Sequence, residues 1–390
     1  MRTFDVVIIG AGSVGLPLSW KLAESGLRVA VIDHEASWGR GQNRAAIGGI
    51  RATHSEPAKI RICLDSIKII SSLEEEYGLD VEWNAGGYLY LAYDEERETA
   101  FRKMLEVQKA SGLDIGWIGP AEVESLAPGI RMEGLRGGTF SPGDGYASPL
   151  MAGTAFHKLA LSGGVQFFFG SRIDDIRMRG HCVESVSSGG ESWSAGLFVN
   201  AAGAEAQDVA AMVGLSLPVH PDCHEAGVTE PVRRFLTPMV VDIRQDSESG
   251  NYYFYQSTSG QLVFCITPSP QIWGRDKDST SSFLPICVRR MLELYPRLRS
   301  LRVRRTWRGM YPMTPDGVPM VGYAGGIENL LHAVGMCGQG FMMGPGLAKI
   351  LSESIQGGGS FSNPAGSTGL GYIFDELACD RDFEHAEYLR

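Results

Sequence analysis

The chain has 390 residues, 44% of them hydrophobic and 21% charged, and a formal net charge of −10 from 35 basic and 45 acidic side chains. That length predicts two domains rather than one small core. The dispersed acidic balance argues against nucleic acid or an anionic membrane surface as a partner, and no apolar run is long enough to span a bilayer.

The first predicted element is an apolar strand, Val6-Val7-Ile8-Ile9, followed at once by Gly10-x-Gly12-x-x-Gly15. A second apolar run, residues 28–32, ends in Asp33, 18 residues past Gly15. This is the layout of a βαβ dinucleotide-binding unit. Gly10 allows a tight turn, Gly12 lets the backbone approach a pyrophosphate, and Gly15 lets helix and strand pack closely. The phosphates would rest on the helix N-terminus, around Ser13 and Val14, and Asp33 would accept hydrogen bonds from a ribose. Pro17 removes a donor just inside the helix, which predicts a local kink.

Residues 39–51, GRGQNRAAIGGIR, form a basic glycine-rich loop. A helix is predicted over 56–77 from the spacing of Ile60, Cys63, Leu64, Ile67 and Ile70. A strand at 88–91, helices at 95–110 and 120–129, and a turn-rich stretch at 137–149 follow. A helix over 150–161, a strand at 165–169 and a hairpin-like excursion over 173–188 come next. The strand Val199-Asn200-Ala201-Ala202-Gly203 ends in a glycine turn and leads to a helix through Met212. Residues 218–310 change character: alternating strands such as 251–255 and 261–266 predict an antiparallel sheet with one helix near 283–294. Asp222-Cys223-His224-Glu225 carries metal-type side chains but, being adjacent, reads as a loop, and no metal is expected. Residues 357–370 read as a linker before an acidic tail.

The fold expected is α/β: a Rossmann-like dinucleotide-binding domain with an antiparallel-sheet substrate domain of α+β character. The binding domain is discontinuous, made of residues 1–84, 145–217 and 306–358. Residues 85–144 and 218–305 form the substrate domain, and 359–390 the linker and tail. Seven scattered cysteines without a Cys-x-x-Cys pair, and no signal peptide before the first strand, predict reduced thiols and a cytoplasmic location.

Four blocks in order carry a family resemblance: the 10–15 fingerprint with Asp33, the 39–51 loop, VNAAGAEAQDVA at 199–210, and the segment from Trp307 to Pro345. Together they resemble the FAD-dependent amine and amino-acid oxidoreductases of the D-amino-acid oxidase and glycine oxidase type. Sarcosine oxidase β subunits and dye-linked proline dehydrogenase β subunits are the most similar in look. The glycine fingerprint alone serves NAD as well as FAD; the resemblance implies FAD. It implies FAD contacts from Gly10, Gly12, Ser13, Val14, Gly15, Asp33, His34, Arg40, Gly41, Arg44, Ala45, Gly48, Gly49 and Arg51. It extends these to Ile173, Ala201, Ala202, Gly203, Gly309, Gly335, Gly338, Gln339, Gly340 and Phe341. The basic loop would balance phosphates or reduced flavin, and residues 338–341 would open a helix toward the flavin ring.

The implied reaction moves a hydride from the carbon next to nitrogen to flavin N5, and the imine then hydrolyses. The substrate is expected to be a small amine or amino acid. Here the chain departs from the family. The carboxylate-binding arginine expected after Trp-x-Gly is absent, because Trp307-Arg308-Gly309-Met310 is followed by Tyr311. Arg51, His54 and Tyr311 are its expected substitutes, with Tyr253 and Tyr255 walling the substrate pocket from one strand face. The strand 261–266 lacks the lysine that activates oxygen in sarcosine oxidase-like enzymes, which favours a dehydrogenase. Oxygen, a quinone or a partner protein remain as acceptors, and hetero- or homo-oligomers are both open. Cys337 is read as a packed thiol near the flavin. Two alternatives stand beside this reading: a 2-hydroxy-acid or glycerol-phosphate dehydrogenase on the same scaffold, and a non-catalytic FAD-holding subunit of an electron-transfer complex.

Overall fold

The first strand, Arg2–Ile9, is apolar on both faces, and that places it at the centre of a sheet covered on two sides. Val6 and Ile8 enter one core cluster, and Val7 and Ile9 enter another. The computed structural model describes residues 1–356, 370–384 and 386–389. In it, the sheet order is Met320–Gly322, Leu330–Val334, Glu191–Asn200, Arg2–Ile9, Val29–Asp33, Gln166–Phe169. All neighbours in this order are parallel except Met320–Gly322 against Leu330–Val334. Helices Gly15–Glu24, Pro57–Tyr77 and Gly340–Gln356 contribute Trp20, Ile60 and Leu347 to the core on one face. The other face is closed by the antiparallel arm Asp175–Arg179 and Cys182–Ser188, through Ile176, Val183 and Val186.

Pro17 is accommodated without breaking the first helix: Leu16 N and Leu18 N still bond to Gly12 O and Val14 O, both at 3.1 Å. The donor it lacks would have served the Ser13 carbonyl. Helix Gly340–Gln356 passes close to that carbonyl, and a Cβ at Gly344 would overlap it.

The second sheet has the order Val303–Met313, His220–Pro231, Gln261–Pro268, Ser249–Gln256, Met239–Asp242, Tyr88–Ala92, Gly137–Ser141, Gly116–Ile118. It differs from the expected antiparallel sheet at one junction, where Met239–Asp242 and Tyr88–Ala92 run parallel. Strand Val303–Met313, assigned from residue 306 to the dinucleotide domain on sequence grounds, is the edge strand of this sheet instead. Its alternation matches His220–Pro231, with which it pairs from His220↔Met313 to Thr229↔Val303. Period two divides the side chains cleanly. Tyr252, Phe254, Leu262 and Phe264 pack on helix Phe283–Leu294, while Tyr253, Tyr255 and Val263 face the other way, with Tyr88 and Tyr90.

Residues 357–369, the core of the expected linker, lie outside the described residues. The stretch after them is not a trailing tail. Helix Gly371–Glu376 packs Ile373 and Phe374 into the main core, and Glu387 and Leu389 are buried.

Candidate active site

Between the two sheets lies one long cleft, with about 1680 Å³ of free space counted to its open mouth. At one end stands the glycine turn. Gly10 has φ +111°, and a Cβ there would run into the Ala201 backbone. A Cβ at Gly15 would overlap the Gly10 carbonyl, so this glycine serves strand–helix contact. Gly12 has nothing within 4 Å of where its Cβ would be, so its backbone is bare toward the cleft. Among the described residues no side chain caps helix Gly15–Glu24; Leu16 N and Leu18 N are spent on Gly12 O and Val14 O and Pro17 has no N–H, so the donors facing an anion are those of the turn before the helix, Gly12 to Val14. Asp33 Oδ2 accepts from Ala11 N at 2.6 Å and Oδ1 accepts from Glu35 N at 2.8 Å. These bonds hold the carboxylate at the cleft wall and leave lone pairs for sugar hydroxyls. An extended dinucleotide fits this donor set.

The cleft gathers most of the residues expected to hold a cofactor: Gly10, Gly12, Ser13, Val14, Asp33, His34, Gly41, Ala45, Gly48, Gly49, Ile173, Ala201, Ala202, Gly203, Gly309, Gly335, Gly338, Gly340 and Phe341. Tyr253 and Tyr311 stand in its wall as well. Several expected residues are elsewhere. Gly15 is buried in the helix–strand contact. Arg40 and Arg44 are exposed on the loop and outside the lining, so their charge is solvated. Arg51 is only 6% exposed and lies behind the wall, bonded to Thr53 O, to His54 Nδ1 at 3.1 Å and to Leu389 O at 2.6 Å. His54 is fully buried beside it, and burial together with the Arg51 and Lys59 charges pushes its imidazole well below the ordinary range. Neither is presented to the cleft as a substrate group. Tyr255 stacks on Tyr146 at 4.3 Å and donates to Ile47 O at 2.6 Å, which makes it a supporting residue behind Tyr253. Gln339 is buried at the foot of helix Gly340–Gln356 and donates its backbone N–H to Met336 O. Cys337 is buried and engaged by Thr314. Arg308 extends to Asp276 Oδ2 at 2.9 Å and Asp278 O at 3.0 Å, outside the lining.

The substrate end of the cleft holds a cluster that sequence reasoning missed. Asp222-Cys223-His224-Glu225 is not a loop but part of strand His220–Pro231. His224 lines the cleft, and its Nε2 is held by Asp222 Oδ2 at 3.0 Å. Its Nδ1 is buried without a hydrogen-bond partner among the described residues. The ring stacks on Tyr311 with centroids 3.8 Å apart, and the Tyr311 and Tyr253 hydroxyls bond each other at 2.8 Å. Cys265 completes the group; burial pushes its thiol up to about 12. Burial also raises Tyr253 and Tyr311 well above the ordinary phenol range, so both are neutral donors near neutral pH. The Glu225 carboxylate is spent on Thr280, at 2.5 Å from Oγ1 and 2.9 Å from N. The signal that could have found His224 was alternation along 220–231, in a segment whose charged residues obscured its strand character.

The chain is similar to several known proteins. The chain is 28% identical over 367 residues to mitochondrial dimethylglycine dehydrogenase of Rattus norvegicus, covering 90% of this chain and 43% of that protein. It thus spans less than half the length of that relative. Glycine oxidase of Geobacillus kaustophilus is 26% identical, covering 90% of this chain and 93% of the other. The crystal structure of L-proline dehydrogenase from P. horikoshii superposes with a TM-score of 0.86 at 27% identity, over 97% of this chain and 99% of that one. A family model described as "FAD dependent oxidoreductase" matches residues 5–354, and the chain belongs to that family, with FAD as the dinucleotide its cleft takes.

Proposed function

We propose that this protein oxidises a small amino acid or secondary amine at the carbon next to nitrogen and delivers the electrons to an acceptor other than oxygen. The observation that carries the reading is His224, buried at the cleft wall with one ring nitrogen fixed by Asp222 and the other without a partner among the described residues. Asp222 orients the ring and favours the proton on Nε2, leaving the Nδ1 lone pair to accept a proton from an ammonium substrate. Only the neutral amine can release a hydride from its neighbouring carbon. FAD, when bound, supplies the two-electron acceptor for that hydride. The Tyr253 and Tyr311 phenols share one hydrogen bond and both engage the Cys265 thiol, a weak acceptor from which a phenol proton can turn to a substrate oxygen. Their rings and Tyr88 shield the substrate end of the cleft from water.

The names of the relatives, dimethylglycine dehydrogenase, glycine oxidase and L-proline dehydrogenase, support a C–N donor. The preference for an acceptor other than oxygen rests on strand Gln261–Pro268, which turns Cys265 and no lysine toward the cleft. The test is the visible spectrum during anaerobic titration with amino acids, N-methyl amino acids and 2-hydroxy acids, followed by reoxidation with oxygen or with a quinone. Bleaching by one amine class and fast reoxidation by the quinone alone are expected. Bleaching by hydroxy acids alone would replace the substrate class. No bleaching by any of them would favour an FAD-holding subunit.

A further inference from the structure

The end of the chain reaches beneath two loops that line the cleft. Glu387 is 1% exposed, and its carboxylate pairs with Lys59 Nζ at 2.8 Å. It also accepts from Ser55 N at 3.0 Å and Ser55 Oγ at 2.7 Å. The Glu387 backbone N–H donates to Asp316 O at 3.0 Å, and Arg381 grips the Asp316 carboxylate at 2.7 and 2.9 Å. Lys59, itself fully buried, reaches the Gly317 carbonyl at 3.4 Å. The chain end therefore ties residues 51–59 to the turn 314–317. The first run continues directly from the Gly48–Gly49 wall of the cleft. The second holds Cys337 through Thr314 Oγ1 at 3.2 Å, next to Gly338 in the opposite wall.

Two buried cations and two buried carboxyls meet in this knot. Arg51 and Lys59 are buried cations, and the neutral His54 between them offers no compensation. Burial pushes the nearby Asp144 carboxyl up to about 6, against the bonds it accepts from Ala52 N and Thr53 Oγ1. Glu387 behaves oppositely: burial alone would raise its carboxyl, yet the Lys59 and Arg51 charges hold it well below the usual carboxylate range. It is the anion paired with the buried Lys59, and removing one partner of such a pair leaves an uncompensated charge.

We propose that Glu387 is a positioning residue for the cofactor site, holding Lys59 and Ser55 against the 314–317 turn, and through them both glycine loops, in the arrangement that accepts FAD. This rests on the assignment of the cleft to FAD. The test is FAD titration of the full-length apoprotein, followed by flavin fluorescence, with the thermal melt of each apoprotein recorded beside it. Glu387→Gln should weaken FAD binding by roughly tenfold or more, because Lys59 is then left buried without its anion. Glu387→Asp, which keeps the charge, should recover part of the affinity. Lys59→Met combined with Glu387→Gln should bind more tightly than Glu387→Gln alone, a coupling that general loosening would not produce. Affinity for Glu387→Gln within about twofold of wild type would overturn the proposal. So would a double variant no better than the single one, and this arm still reads out if Glu387→Gln alone does not fold. Wild-type protein that takes up no FAD would instead overturn the cofactor assignment and this proposal with it.

Discussion

Gly12 and Gly15 lie three residues apart in one motif, yet the structure gives them separate duties, and substitution should separate them. A Cβ at Gly12 meets nothing within 4 Å, and its φ is not in the left-handed region, so Gly12→Val should leave the apoprotein within about 0.5 kcal/mol of wild type. The added side chain would instead occupy the space where a phosphate approaches the uncapped helix. Loss of two hydrogen bonds to a charged group, at about 1.5–3 kcal/mol each, corresponds to roughly a hundredfold to ten-thousandfold weaker FAD binding. A Cβ at Gly15 collides with the Gly10 carbonyl, and no flexible side chain is there to yield. Gly15→Ala should therefore cost about 1–3 kcal/mol of apoprotein stability, by overpacking the helix–strand contact. The assay pairs a melt of each apoprotein with FAD titration. Wild-type FAD affinity in Gly12→Val, or a loss of apoprotein stability as large as that of Gly15→Ala, would refute the reasoning.

Three further outcomes follow from the geometry. His224→Gln should slow anaerobic flavin reduction by about 10²–10⁴-fold while FAD affinity stays near wild type, and an unchanged rate would remove His224 as the proton acceptor. Tyr311→Phe deletes both the bond to Tyr253 and the shared donor, so substrate dissociation constants from the same titration should rise; equal constants would place the substrate elsewhere. The Glu387 carboxyl lies well below its ordinary 4.5 in the native state, so its contribution is complete above that pH and is lost as the pH falls toward the native value. Glu387→Gln should thus flatten the acid limb of the melting-temperature profile below about pH 4.5, and an unaltered limb would show that the ion pair with Lys59 contributes nothing.

The residues that were legible in the sequence are those whose role is local. Gly10, Gly12 and Asp33 act through a turn, a bare backbone and a strand end separated by a few tens of residues, and apolar runs on both sides mark their elements. The family resemblance added the loops at 48–49 and 335–341, which the cleft does bring together. Arg51 and His54 read differently in three dimensions because their surroundings come from far along the chain. Leu389 and Glu387, more than 330 residues away, enclose them. His224 was hidden for the converse reason. Its charged neighbours made a strand look like a loop, and only pairing with Val303–Met313 decides which of Asp222, His224 and Glu225 face the cleft or one another. By itself the sequence determined the dinucleotide fingerprint and the two kinds of sheet, because hydrophobic period and glycine spacing are properties of adjacent residues, while the choice of FAD over NAD came from the family resemblance. Which cations are buried, which histidine keeps a free nitrogen and what the last residues do were decided by tertiary structure, since burial and charge pairing depend on segments that meet only when the chain has folded.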